Sequence, residues 1–123
     1  MTNNPDNALP GYVLIASMDV DPDKEELFNQ VYDEHVEHLL AVPGVRSVTR
    51  MKGQEINISI AGKIETMPAP KPVYSAIYEL DTQGVLESAE WAAAVEKGCW
   101  ASEVRPFTSN RSHALFRKLD SAS

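Results

Sequence analysis

"GYVLIASMDVDPDKEELFNQVYDEHVEHLLAVPGVRSVTRMKG" (11–53) decides the fold. Its first ten residues are a continuous apolar run bounded by Gly11 and by Asp21-Pro22. That length and β-branched content read as a strand with both faces covered. The next stretch changes period. On a wheel of about 100° per residue, Leu27, Phe28, Val31, Tyr32, Leu39 and Val42 form one apolar stripe. Asp33, Glu34, Glu37 and Gln30 fall opposite. Asp21 is the expected N-cap, with Pro22 at the first helical position. Glu25 and Glu26 lie near the positive end of the helix dipole, and Pro43-Gly44 stops the helix. Residues 45–53 return to a strand. The unit is β-α-β.

A second such unit follows. "VYSAIYEL" (73–80) is a strand and "DTQG" a turn. "SAEWAAAVEKG" (88–98) is a short helix, with Ser88 as N-cap and Gly98 after its end. "WASEVRPF" is a connector, and 108–119 is the last strand. The insert 54–71 reads as a strand extension or a small hairpin, followed by a loop. Residues 1–10 read as a flexible N-terminal arm and 120–123 as a tail. The expected fold is α+β and ferredoxin-like: one domain over 11–119, with four antiparallel strands and two helices on one face.

Strands 11–20 and 73–80 are apolar at both parities. A sheet with one face in water alternates more cleanly. A second copy over the open face resolves this, so a homodimer is expected.

The totals narrow the partners. The chain has 123 residues, 43% apolar and 24% charged, with a net charge of −7. Eleven basic residues spread along an acidic chain disfavour nucleic acid and anionic membranes. No apolar run approaches the ~20 residues of a membrane span. No signal-peptide pattern opens the chain, so a cytoplasmic location is expected. A single cysteine, Cys99, excludes an internal disulfide and a Cys-pair zinc site.

His35 and His38 lie three apart on the first helix. His35 falls in the middle of the apolar stripe, where a helix normally places Leu; His38 falls at its flank. His35 is either a core histidine bonded to a backbone carbonyl or a Tyr hydroxyl, or a neutral imidazole at the bottom of a helix–sheet pocket. Tyr32, one turn earlier, would orient it or donate to a substrate oxygen. No metal is expected, because Glu34 points away and His113 is distant. Trp91 reads mainly as packing and Trp100 as a pocket wall. Arg105 and Arg111 are expected to pair with surface acids.

"VYDEHVEHLLAVPGV" (31–45) resembles the first helix of EthD-like proteins: an aromatic, an acidic pair, a His, a Leu-rich turn and Pro-Gly-Val before a strand. "YSAIYELD" with "SAEWAAAVEKGCWASEVRPFTSNRSHALF" resembles the second half of the same group. The resemblance covers most of 11–117 and implies the dimeric α+β barrel. Barrels of this kind include polyketide cyclases, cofactor-free monooxygenases and muconolactone isomerases, and some related members bind haem. His35 carries over best, with Tyr32 as the family's aromatic. The insert 54–71 departs from the pattern and is expected to lid or reshape a pocket.

The expectation is therefore a cofactor-free enzyme moving protons on a carbonyl-bearing aromatic or polyketide-like molecule, by cyclisation, isomerisation or dehydration. His35 is the base, with Tyr32 or Tyr78 polarising the carbonyl. Tyr78, Trp91, Trp100, His113 and Phe28 line the substrate. A non-catalytic ligand binder and a cofactor-free monooxygenase are the alternatives.

Overall fold

The computed structural model describes residues 11–119. The arm expected at 1–10 and the tail at 120–123 lie outside the described residues. The central strand β1 (Tyr12–Val20) is paired antiparallel on both sides, to β5 (Tyr74–Leu80) and to β6 (Thr108–Arg117). β2 (Val45–Lys52) adds to the outer edge of β5, giving the order β2-β5-β1-β6. With α1 (Glu25–Leu40) and α2 (Ala89–Ala94), this is the expected ferredoxin-like arrangement. No helix among the described residues is long and apolar enough to cross a membrane.

Period-two burial shows which face the helices cover. Leu14, Ala16 and Met18 of β1 are buried, as are Tyr74, Ala76, Tyr78 and Leu80 of β5. They share one core with Phe28, Val31, Tyr32 and Leu39 of α1, joined by Ala94 and Trp100. Alternate positions Val13, Ile15 and Ile77 are only half-buried, and beside them Phe116 is 54% exposed.

Three local features differ from expectation. Asp21 does not cap α1 with its side chain. Its backbone N–H is held by the Phe107 carbonyl at 3.0 Å, and its own carbonyl accepts the Lys24 N–H at 2.9 Å. Pro22–Lys24 thus forms a single 3-10 turn, and α1 starts one turn late. In the second unit, Ser88 Oγ does cap α2, accepting the Trp91 N–H at 3.1 Å, but the helix ends at Ala94.

The insert is a separate hairpin of β3 (Ile56–Ile60) and β4 (Lys63–Met67), turning through Ala61 and Gly62. Both turn residues have positive φ, the two-residue turn whose twist matches its strands. Every strand residue of this hairpin is exposed, Ile64 to 72%.

Gly98 positions the next segment. Its φ is +70°, and a Cβ there would collide with the Glu34 carboxylate. Glycine lets the chain after α2 pass close against α1. It then winds into a π-helical turn, Trp100–Val104, in which the Arg105 N–H reaches the Trp100 carbonyl. That wide turn buries both Trp100 and Val104.

Candidate functional site

A cavity of about 320 Å³ lies between α1, the segment after α2, and strands β1, β5 and β6. Leu14, Ala16 and Met18 form its floor. Ala16 pairs with His113 and Leu14 with Tyr78, so the sheet register carries His113 and Tyr78 to that floor from either side. Tyr32 and His35 descend from α1, while Trp91, Trp100 and Arg105 come from the α2 side. A larger, shallower groove runs between the start of α1 and β2. Several of its side chains already pair with one another: Glu25 with Lys52 and Tyr74, Arg50 with Asn29 and Asp33. The enclosed cavity is the better candidate.

His35 is the one buried polar residue among the described residues, at 5% exposure. Its ring stacks on Trp100, with centroids 4.8 Å apart and planes 22° from parallel. Tyr32 meets it edge-on at 5.3 Å. Neither ring nitrogen has a hydrogen-bond partner among the described residues, and Nδ1 is sealed from solvent. Core histidines kept for structure are usually bonded, and no protein group among the described residues bonds His35. Burial lowers its pKa to about 4, with smaller pushes from His38 and Arg105. The imidazole is neutral at pH 7 and holds a free lone pair.

The Tyr32 and Tyr78 hydroxyls are 2.9 Å apart. One donates to the other, which leaves a single O–H proton free for a third group. Burial raises both pKa values, so both phenols keep their protons. Arg50 lies 4.7 Å over the Tyr32 ring and holds it from behind. Trp91, half-buried, packs edge-on against Tyr78 at 5.6 Å.

Of the residues expected at the site, His35, Tyr32, Tyr78, Trp91, Trp100 and His113 all line this cavity. Phe28 does not. It is 1% exposed and packs between Tyr32, Tyr74 and Trp100, in the core behind the cavity wall. His38 sits apart, 3.4 Å from Glu34 on the exposed side of α1. No group of three His, Cys, Asp or Glu side chains suited to a metal occurs among the described residues. Nor does the β3–β4 hairpin line the cavity, contrary to the lid expected of the insert.

Arg105 and Arg111, expected to pair with surface acids, also line it. Arg105 does bind Glu96, at 3.1 and 2.7 Å. Arg111 has no such partner among the described residues. A usable signal was present: Arg111 and His113 are two apart on a strand, and therefore on one face.

No family model matches the chain, and no curated protein does. Solved structures do match. One is a mutant of MhuD with two manganese protoporphyrin IX bound per active site: TM-score 0.59, 12% identity, covering 91% of this chain and 99% of that one. Another is MhuD, a haem degrader from Mycobacterium tuberculosis, with two haems in its active site: TM-score 0.56, 10% identity, with the same coverage. The fold shared with these structures is ferredoxin-like α+β. At this identity the match shows the fold alone, and it does not single out EthD-like proteins. It also overturns the expected cofactor-free cyclase or isomerase, because the fold's matched neighbours are haem degraders.

Proposed function

We propose that this chain is an oxygenase acting on a planar aromatic molecule of two or three rings, in which His35 removes a substrate proton. The observation that carries the reading is His35 itself: buried, neutral, unbonded, and in a cavity with one free tyrosine proton.

Haem, which MhuD holds, does not fit here. A cavity of about 320 Å³ is near the bottom of the ~300–1,000 Å³ range of small-molecule pockets, and suits two or three fused rings better than a tetrapyrrole with its side chains. His35 Nδ1 is sealed, and its ring lies flat against Trp100. No step is routed through haem.

The residues support direct reaction of the substrate with oxygen. The His35 lone pair takes a proton from a C–H made acidic by a neighbouring carbonyl. The free tyrosine O–H donates to the enolate oxygen that forms. The enolate gives an electron to O₂ and the two radicals combine at carbon. The imidazolium returns its proton to the peroxide, and loss of water leaves a new carbonyl. The balance is CH₂ + O₂ → C=O + H₂O, with His35 neutral again. A base with pKa about 4 is weak against a neutral donor. An enolate formed beside it in a dry cavity raises that basicity by ion pairing.

Anthrone is a suitable probe, with three fused rings and an acidic CH₂ beside a carbonyl-conjugated ring system. Oxygen uptake and anthraquinone formation should exceed the buffer rate and fall by about 10²–10⁴-fold in His35→Gln. Equal rates in both proteins would end the proposal.

The half-buried face of Val13, Ile15 and Ile77, with exposed Phe116, supports pairing with a second copy. We place the working protein as a cytoplasmic homodimer, EthD-like on the strength of stretches 31–45 and 74–81. Light scattering at micromolar concentration should give twice the chain mass, and a monomer would remove the pairing.

A further inference from the structure

The cavity's charge inventory contradicts that of the chain. The chain carries 18 acids against 11 bases. The cavity lining has two arginines, two histidines and no acid. Both histidines are pushed toward neutrality, chiefly by burial; Arg111 adds to this at His113 and Arg105 at His35. The cations left are the arginines.

They differ in what they need. Arg105 is neutralised by Glu96 and also donates to the Val95 carbonyl at 3.3 Å. Its Nε is buried with no partner. Arg111 forms neither an ion pair nor a hydrogen bond among the described residues. Its charge is felt both at Tyr32 on α1 and at His113 on its own strand, so it stands over the cavity. While the cavity holds water, that guanidinium is solvated. Arg111 is exposed at the cavity rim; a ligand filling the space removes the water on its cavity side, and a cation that loses solvent without gaining a counter-charge is disfavoured. A neutral polar group offsets only part of that cost; an anion offsets it by a charge-assisted hydrogen bond.

We propose that the ligand carries a permanent anionic group, a carboxylate on the aromatic frame, which Arg111 binds at the cavity mouth. The aromatic part lies against Tyr78, Trp91 and Trp100, and the acid end lies toward β6. This names the substrate class of the oxygenase proposed above and rests on the same cavity. Arg111 is a binding residue here and takes no part in proton removal.

Binding of 2-naphthoate and 2-naphthamide, one charged and one neutral on the same two-ring frame, tests it. The readout is quenching of tryptophan fluorescence, since both Trp91 and Trp100 line the cavity. Naphthoate should bind at least about tenfold more tightly. Arg111→Gln should erase that preference by bringing naphthoate down to the affinity of naphthamide, and Arg111→Lys should keep part of it. Equal binding of acid and amide by the unaltered protein overturns the anion and leaves the cavity reading standing. A preference that survives in Arg111→Gln overturns the assignment to Arg111. If neither probe binds, the aromatic cavity fails and takes this inference with it. The oxygenase reading alone falls if naphthoate binds as expected and neither anthrone nor a carboxylated anthrone consumes oxygen above the buffer rate.

Discussion

Lowering the pH should destabilise the protein through His35, and replacing His35 should remove most of that sensitivity. The folded pKa is about 4, against 6.5 for the free side chain. Between those values the unfolded chain binds a proton that the folded chain refuses. Stability is therefore fully present above 6.5 and is lost as pH falls toward 4, at up to ~1.4 kcal/mol per pH unit. From pH 7 to pH 4.5 the loss assigned to this one group is about 2 kcal/mol. Below 4 both states are protonated and the loss stops growing.

Urea unfolding of the unaltered protein and of His35→Gln, at equal protein concentration and at both pH values, isolates the term. At pH 7 the variant should lie within about 1 kcal/mol of the unaltered protein, because no hydrogen-bond partner is stranded. At pH 4.5 the difference should shift by about 2 kcal/mol in favour of the variant. Glu25 and Asp19, whose pKa values are lowered chiefly by side-chain hydrogen bonds, are common to both proteins and cancel in the difference. Parallel losses in both would refute a neutral, desolvated His35. A loss above about 2 kcal/mol at pH 7 would show that the imidazole is bonded after all, and the proton-removing role would go with it.

Tyr78→Phe should cost about 1–3 kcal/mol by stranding the Tyr32 hydroxyl, and adding Tyr32→Phe should recover part of it; additive losses in thermal melts would show that the two hydroxyls are not paired. Replacing 55–68 with a short linker should change monomer stability by less than about 1 kcal/mol in chemical denaturation, since β3 and β4 pair only with each other. Gly98→Ala should lower the melting temperature, because a left-handed backbone and the Glu34 carboxylate both oppose a Cβ; an unchanged melt would remove Gly98 as the residue that sets Trp100.

The elements that could be read from sequence are those whose signal is local. A change of period from two to 3.6 at Asp21 and back at Val45 marks β1, α1 and β2, and Ser88 marks the start of α2. His35 was legible for the same reason: one helix wheel puts it among Phe28, Val31, Tyr32 and Leu39, and all of these are buried. The Tyr32–Tyr78 pair was not. Its partners are 46 residues apart and meet only because β5 pairs with β1 in a register that turns Tyr78 toward α1.

Phe28 shows the deeper limit. It shares the stripe with His35, seven residues earlier, yet one packs solidly and the other faces a cavity. The helix fixes which way both point. What separates them is the volume brought against each. Near Phe28 the rings of Tyr32, Tyr74 and Trp100 close the space. Around His35 the lining of Leu14, Ala16, Met18, Arg111 and His113 leaves a cavity of about 320 Å³. A cavity is what two packed faces fail to fill, and that difference belongs to no single element. Arg111 was misjudged for the same reason, whereas Arg105 did find its surface acid, Glu96. Acids are plentiful in the sequence, so a surface partner for Arg111 was the ordinary expectation. Only the assembled sheet puts it at the cavity with no acid bonded to it among the described residues.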